Sequence, residues 1–299
     1  MLGIITEVIG PVLLITAVGY ALGRSRLVPA QPLTALSALV LIPALVFYAL
    51  TTSTLPRAAF ARIGSFIVVQ FILVAFVVWV FARLHRWDRV RTAGVLLATQ
   101  ISNAGNAGLP LVFFAWGQTG LTSAVGYFAV QAVLVNLLAV YIGAGATSSG
   151  AHPAQALLRQ PVTYAIGAGV LLNLLGIGLP VPIAKAAQLL ANGAIAIMLL
   201  VVGVQLAEVR VAADLHTVWF AVVVRLLVAP LLAWTTAPLL GLEGGLRDVS
   251  ILLASLPTGV SAAVWATEFR TEPGLVSSIV VITTLLSPVT ITGLLLLLR

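Results

Sequence analysis

The chain has 299 residues, of which 61% are hydrophobic and 8% charged, and its mean hydropathy is +1.16. A soluble domain carries roughly 25% charged residues, so this composition excludes a soluble enzyme and indicates a polytopic membrane protein. The net charge of +7 fits arginine-bearing loops facing anionic lipid rather than nucleic acid, and the lack of cysteine excludes disulfide and thiolate chemistry.

A bilayer span needs about 20 predominantly apolar residues. Ten stretches answer this, at 5–23, 32–52, 63–82, 92–116, 121–145, 161–179, 186–206, 216–239, 248–268 and 275–298. The first, in MLGIITEVIGPVLLITAVGYALGRSR, lacks a basic leader and a small-residue cleavage site, so it reads as a spanning helix rather than a signal peptide. Connections are short. The longest, 146–160, reads as a cytoplasmic linker between a first five-helix repeat (1–145) and a second (161–299).

Basic residues set the orientation. With the N-terminus outside, the cytoplasmic face carries Arg24, Arg26, Arg83, Arg86, Arg89, Arg91, Arg159, Arg210 and Arg270, and the outer face Arg57, Arg62, Lys185, Arg247 and Arg299. Both termini are therefore expected outside. Five spans on either side of a linker give the halves opposite topology, the plan of an inverted-repeat carrier.

The fourth span contains ATQISNAGNAGLPLVFFAW, from Ala98 to Trp116. Gly and Asn are poor helix formers and Pro110 has no N–H for the carbonyl of Asn106, so a discontinuous helix is expected here. An offset of 156 aligns Arg91 with Arg247, Leu96 with Leu252, Leu97 with Leu253, Ala98 with Ala254, Ser102 with Thr258 and Ala107 with Ala263. The aligned part of span nine is interrupted as well, by Pro257, Thr258, Gly259 and Ser261. Two interrupted spans at matching depth point to a binding site at the bilayer midplane.

Such breaks expose N–H groups at new helix starts and carbonyls at new helix ends. Asn103 and Asn106 would add amide donors for a carboxylate, and Thr258 and Ser261 hydroxyls. Gly105, Pro110 and Pro257 are candidates too, although Gly105 and Pro257 also read simply as backbone-shaping residues. Arg225, inside span eight, costs roughly 2.5–3.5 kcal/mol to bury in a bilayer. It has three open fates: a substrate anion, backbone carbonyls near the breaks, or snorkelling to the interface. Asn192 reads equally as a packing residue or a substrate contact. Gln70, Gln131, Asn136 and Gln205 read as hydrogen-bond partners between helices.

The chain resembles the auxin efflux carrier family, in its prokaryotic branch, within the wider bile acid/auxin/arsenite transporter superfamily. The resemblance runs the whole length. It rests on GYALGRSRLV, LVLIPALVFYAL, NAGNAGLPLVFFAWG, VRLLVAPLL, LASLPTGVSAAVWATEF and SSIVVITTLLSP. It implies an all-α membrane fold of ten helices in two inverted repeats, with spans four and nine broken and crossing. Spans one, two, six and seven would form a panel and the rest a core. It further implies secondary transport of organic anions such as dicarboxylates or auxin. The sodium-coupled relatives carry an acidic residue near the second break, whereas SLPTGVSAAVW has none, a departure that weakens the case for sodium.

No phosphate-binding GxxxxGK[ST] loop, no HExxH metal motif and no nucleophile–base pair is present, so an ATP motor, a metalloenzyme and an intramembrane hydrolase are not expected. No cofactor is expected either. The reading is a secondary active transporter of a small organic anion in a plasma (bacterial inner) membrane. Its partners would be that anion and the lipid bilayer, with protons and a second copy of the chain left open. A sodium-coupled symporter, a channel and a non-transporting sensor are the alternatives.

Overall fold

The computed structural model describes residues 2–26, 29–147, 158–208 and 214–298. Most of the expected linker 146–160, with Arg210 and Arg299, lies outside the described residues. The helices are α1 (Ile5–Arg24), α2 (Ala30–Thr51), α3 (Arg57–Leu84), α4 (Arg89–Gln100), α5 (Leu109–Thr147), α6 (Pro161–Leu175), α7 (Val181–Glu208), α8 (Leu215–Leu239), α9 (Gly244–Ala254), α10 (Val260–Glu268) and α11 (Pro273–Leu298). Among the described residues there is no strand, only an isolated antiparallel bridge between Ser102 and Thr258.

Seven helical stretches are each long and apolar enough to cross a membrane: α1, α2, α3, Ala104–Gly143, α7, α8 and α11. Neither expected span 92–116 nor 248–268 is one continuous helix, because helical backbone lapses at 101–103 and again between Ala254 and Val260. Between the expected spans 92–116 and 121–145, α5 consists of two helical stretches joined across a kink at Gly117, whose φ 62 and ψ −152 are a conformation glycine reaches without a Cβ clash.

Four prolines shape the helices in the same way. Pro11, Pro43, Pro110 and Pro230 each stand second in an α-helical run that follows a five-residue π turn. Those turns are Ile5–Ile9, Ser37–Leu41, Ala104–Gly108 and Val224–Val228. A proline lacks the N–H for its i−4 carbonyl and crowds it; the wider turn moves that carbonyl aside, so the helix continues.

The described chain divides into two compact units. The first comprises Met1–Phe60, Gly105–Val133 and Leu157–Glu208. Its seam is α1 against α7, made with almost no side chain. A Cβ on Gly203 would run into the Thr16 carbonyl and lie 2.5 Å from the Tyr20 nitrogen, and a Cβ on Gly23 would lie 3.0 Å from the Val204 Cα. Small residues four apart on both helices let the backbones meet, the usual route to tight packing in lipid. Polar groups close the ends of α2. The Glu208 carboxylate accepts the Ala30 N–H at 3.1 Å, opposite the positive end of the helix dipole, and Asn173 donates to the Ser53 carbonyl at 2.9 Å.

The second unit comprises Ala61–Ala104, Leu134–Ala156 and Val209–Arg299. Its apolar centre joins Val78, Leu97, Ala98, Val140, Ala221, Ala262 and Ile279, drawn from α3, α4, α5, α8, α10 and α11. α4 approaches the start of α11 closely: a Cβ on Gly94 would stand 2.5 Å from the Thr271 carbonyl. Above that contact Arg91 pairs with Glu272 at 3.0 Å and Asp214 at 2.9 Å. Asp214 also caps α8, accepting the Thr217 N–H at 3.3 Å and its hydroxyl at 3.1 Å. Burial alone would raise the Asp214 pKa, but those hydrogen bonds, with Arg91 and His216 behind them, outweigh it and hold the carboxyl below its usual 3.8.

Two outcomes follow from these contacts. Gly203→Ala should lower the thermal midpoint in detergent by the equivalent of about 1–3 kcal/mol of overpacking, whereas Gly193→Ala, with nothing within 4 Å of its Cβ position, should leave it unchanged. Asp214→Asn should destabilise the protein at neutral pH. Because the folded-state pKa is depressed, that stabilisation is present above pH 3.8 and lost as pH falls through the folded value. Melting curves of wild type and variant should therefore converge on acidification below it.

Candidate functional site

The site is built where helical backbone stops twice within the second unit. α4 starts on Asp88, whose carboxylate accepts the Arg91 N–H at 2.7 Å, and ends at Gln100, whose side-chain amide donates to the Phe71 carbonyl at 2.7 Å. Ile101 then turns extended, at φ −90 and ψ 100. α9 ends at Ala254, and the chain resumes as α10 after Gly259, extended at φ −73 and ψ 143.

The two non-helical segments hydrogen-bond to each other. The Asn103 N–H donates to the Pro257 carbonyl at 2.9 Å, and the Gly259 N–H donates to the Ile101 carbonyl at 2.8 Å. Between these bonds Ser102 faces Thr258 in the antiparallel bridge. The pairing keeps four backbone groups satisfied where neither helix supplies partners. Gly259 fits tightly, since a Cβ there would stand 3.1 Å from the Ser102 carbonyl.

Thr258 is held on both sides. Its hydroxyl donates to the Ala98 carbonyl at 2.8 Å and its N–H donates to the Thr283 hydroxyl at 3.2 Å. The Thr283 hydroxyl in turn donates to Ile279 at 2.7 Å. Thr99 and Ser255 each turn a hydroxyl back onto the carbonyl four residues earlier, at 2.8 and 2.7 Å.

Arg225 occupies the π turn before Pro230 and is 3% exposed. Its Nε donates to the Leu256 carbonyl at 2.7 Å, one terminal nitrogen to Thr99 at 3.0 Å and the other to Ala254 at 2.6 Å. Thr99 belongs to the last turn of α4, and Ala254 is the last residue of α9. One rigid fork thus answers the negative ends of two helices, with charge-assisted bonds that an ammonium could not make in that plane. Of its three sequence-level fates, the backbone carbonyls are the contacts observed.

The donors at the site are less fully engaged. Asn103 is 6% exposed, and its side-chain nitrogen is buried with no hydrogen-bond acceptor among the described residues. α10 starts on Gly259 without a side-chain cap. Acceptors are therefore consumed by Arg225 and Thr258, while a buried amide donor stands unpaired.

The remaining candidates lie elsewhere. Ser261 is exposed on α10 and outside the bridge contacts. Gly105 and Asn106 sit in the π turn before α5, and Pro110 is the second residue of α5; all three belong to the first unit. Gly105 faces the Phe128 ring, where a Cβ would stand 3.1 Å away. Asn106 is half-buried with an unpaired side-chain oxygen. Asn192 is exposed on α7. Gln70 bonds Thr236 at 2.8 Å and Gln205 bonds Thr34 at 3.1 Å. Sequence reasoning passed over Thr283 and Thr99, because a lone hydroxyl in an apolar helix usually bonds its own backbone.

A family model described as "Membrane transport protein" matches residues 4–150 and 153–295. The chain belongs to that family, which is the auxin efflux carrier family. It is 27% identical over 299 residues to an "Uncharacterized transporter" of Methanothermobacter thermautotrophicus, covering 96% of each chain. It is 29% identical to the "Putative malonate transporter" of Rhizobium meliloti, over 86% of this chain and 83% of the relative. It is 30% identical over 142 residues to the "Probable auxin efflux carrier component 1b" of Oryza sativa, covering 45% of this chain but only 26% of that larger protein. The chain is therefore a membrane protein of a transporter family, and its relatives bear transporter rather than enzyme names.

Arg225→Met should lower thermal stability sharply without any substrate, by about 3 kcal/mol or more, since it strands three buried carbonyls at about 1–3 kcal/mol each. Arg225→Lys should recover only part of the loss, because a point charge cannot reach three acceptors as a fork does. Melting curves of detergent-solubilised protein would check both.

Proposed function

We propose that the chain is a secondary transporter that moves a small organic anion by alternating access, with the anion held where the two interrupted helices pair. The observation that carries the reading is the buried Asn103 side-chain nitrogen without an acceptor. Leaving a buried donor unmade costs about 1–3 kcal/mol, a cost that makes sense where a ligand completes the bond. A carboxylate there would accept from Asn103 and from the uncapped start of α10, close to the fixed positive charge of Arg225. The name of the Rhizobium relative supports a carboxylate substrate.

The inverted-repeat plan belongs to the same proposal. The offset of 156 that aligns the two halves carries Asn103 onto Gly259 and Ile101 onto Pro257, so each of the two bridging bonds is the image of the other. It also carries Ser102 onto Thr258, the bridged pair. Two halves related by a pseudo-twofold axis between those residues would give this pattern. If each interrupted pair, α4 with the start of α5 and α9 with α10, makes one span and α5 divides at Gly117, the spans number ten. The arginine distribution then puts both termini on the outer face, and a plasma membrane fits the composition. Asn106 and Asn192 keep a proposed role in substrate binding, each open to its own alanine test.

Asn103→Ala separates function from folding. The backbone bond from residue 103 to Pro257 survives, and the substitution removes an unpaired buried donor, so thermal stability should hold or rise. Transport efficiency should fall roughly ten- to a hundredfold, the worth of a hydrogen bond to a charged group. The assay is counterflow of labelled mono- and dicarboxylates in proteoliposomes, with and without sodium. Saturable exchange without sodium that Asn103→Ala lacks would bear the proposal out. Normal exchange by the variant would remove Asn103 from the site, and exchange only with sodium would favour a sodium-coupled mechanism.

A further inference from the structure

A cavity of about 580 Å³ opens in the second unit where the end of α3, the start of α4 and the last turns of α5 meet. Among its lining residues are Arg83, Arg89, Trp79, Trp87, Tyr141 and Asp88. Its charged lining is two guanidinium groups against one carboxylate, a single net positive charge. The carboxylate is already committed as the α4 cap, accepting the Arg91 N–H at 2.7 Å. The Arg83 guanidinium lies over the Trp79 ring, 5.5 Å from its centroid, so one face is packed while its N–H edges have no hydrogen-bond partner among the described residues.

An apolar track leads to this cavity. Val68, Ile72, Phe76 and Trp79 are 41%, 62%, 59% and 50% exposed, and their spacing of four, four and three residues puts them along one face of α3. Arg83 follows four residues later on the same face. Tyr141, on α5, is 77% exposed. Exposed apolar side chains that end in aromatic rings and then arginines trace the profile of a lipid: acyl chain, interface, headgroup.

We propose that this cavity binds an anionic phospholipid, with its phosphodiester held by Arg83 and Arg89 and an acyl chain lying along the Val68–Trp79 face of α3. The single net charge of the lining matches a phosphodiester monoanion such as phosphatidylglycerol. The apolar track distinguishes a lipid from a soluble phosphate, which would gain nothing from it. The site is separate from the paired segments and independent of what is transported.

Native mass spectrometry of the full chain, titrated with equimolar phosphatidylglycerol and phosphatidylcholine, tests this. The wild type should retain phosphatidylglycerol preferentially. Each of Arg83→Gln and Arg89→Gln should cut that preference about fivefold, the equivalent of roughly 1 kcal/mol per basic group at a lipid surface. The control Arg24→Gln, which removes the same single charge from the end of α1, should leave it intact. Arg83 and Arg89 are exposed, so neither substitution strands a buried group. Equal retention of both lipids, an undiminished preference in both single variants, or an equal loss in the control would overturn the proposal. So would displacement of the bound lipid by millimolar inorganic phosphate, which would make the occupant a soluble anion.

Discussion

The guanidinium of Arg225 ties together the two places where this chain gives up helical hydrogen bonding. A helix that stops inside a membrane leaves carbonyls with neither water nor backbone to answer them, and two such ends face one another here. A neutral donor could satisfy one of these groups. A charged, planar fork satisfies three, at 2.6 to 3.0 Å, and its charge opposes both helix dipoles at once. The cost of burying a cation in an apolar unit is thereby set against interactions that exist only because the helices are interrupted.

With the acceptors answered by Arg225 and the Thr258 hydroxyl, the two extended segments need only pair their own peptide groups, which they do through two bonds around Ser102 and Thr258. Surplus donor capacity is left at Asn103 and at the start of α10. An interruption that merely had to be tolerated would be expected to satisfy both kinds of group. The unpaired donor at Asn103, in the paired segment itself, gives the proposed preference for anions a physical source, and membership of a transporter family gives it a setting.

Much of this could be read from the residues, for identifiable reasons. Hydropathy announces membrane helices because lipid imposes a length and a composition on them. ISNAG and SLPTG mark where helical backbone lapses, because Asn, Gly and Pro act locally. What stayed hidden depends on partners remote in sequence. Arg225 reads as an intramembrane cation, but its acceptors are backbone carbonyls of ordinary Thr, Ala and Leu residues that no motif reveals. The same holds for Gly203: one glycine among 26, it becomes distinctive only once Thr16 and Tyr20 are found against it. Gly117 is legible for the same local reason as ISNAG and SLPTG: a break was expected beside it, and there its positive φ, open to a residue without a Cβ, kinks α5.

The π turns bear on how such a chain tolerates change in length. Each holds one residue more than an ordinary helical turn would need, so each is a point where the polypeptide could shorten by one residue and still continue as a helix. At Ile5–Ile9, ahead of Pro11, such a deletion would turn the residues that precede it, the buried Ile4 among them, about the helix axis. At Val224–Val228 the same deletion, made after Arg225, would swing the guanidinium about 100° around the axis relative to everything that follows. It would point away from Thr99, Ala254 and Leu256. Chain length in VRLLVAP is thus constrained by angle rather than by space, and the register of one proline governs whether two distant helix ends stay neutralised.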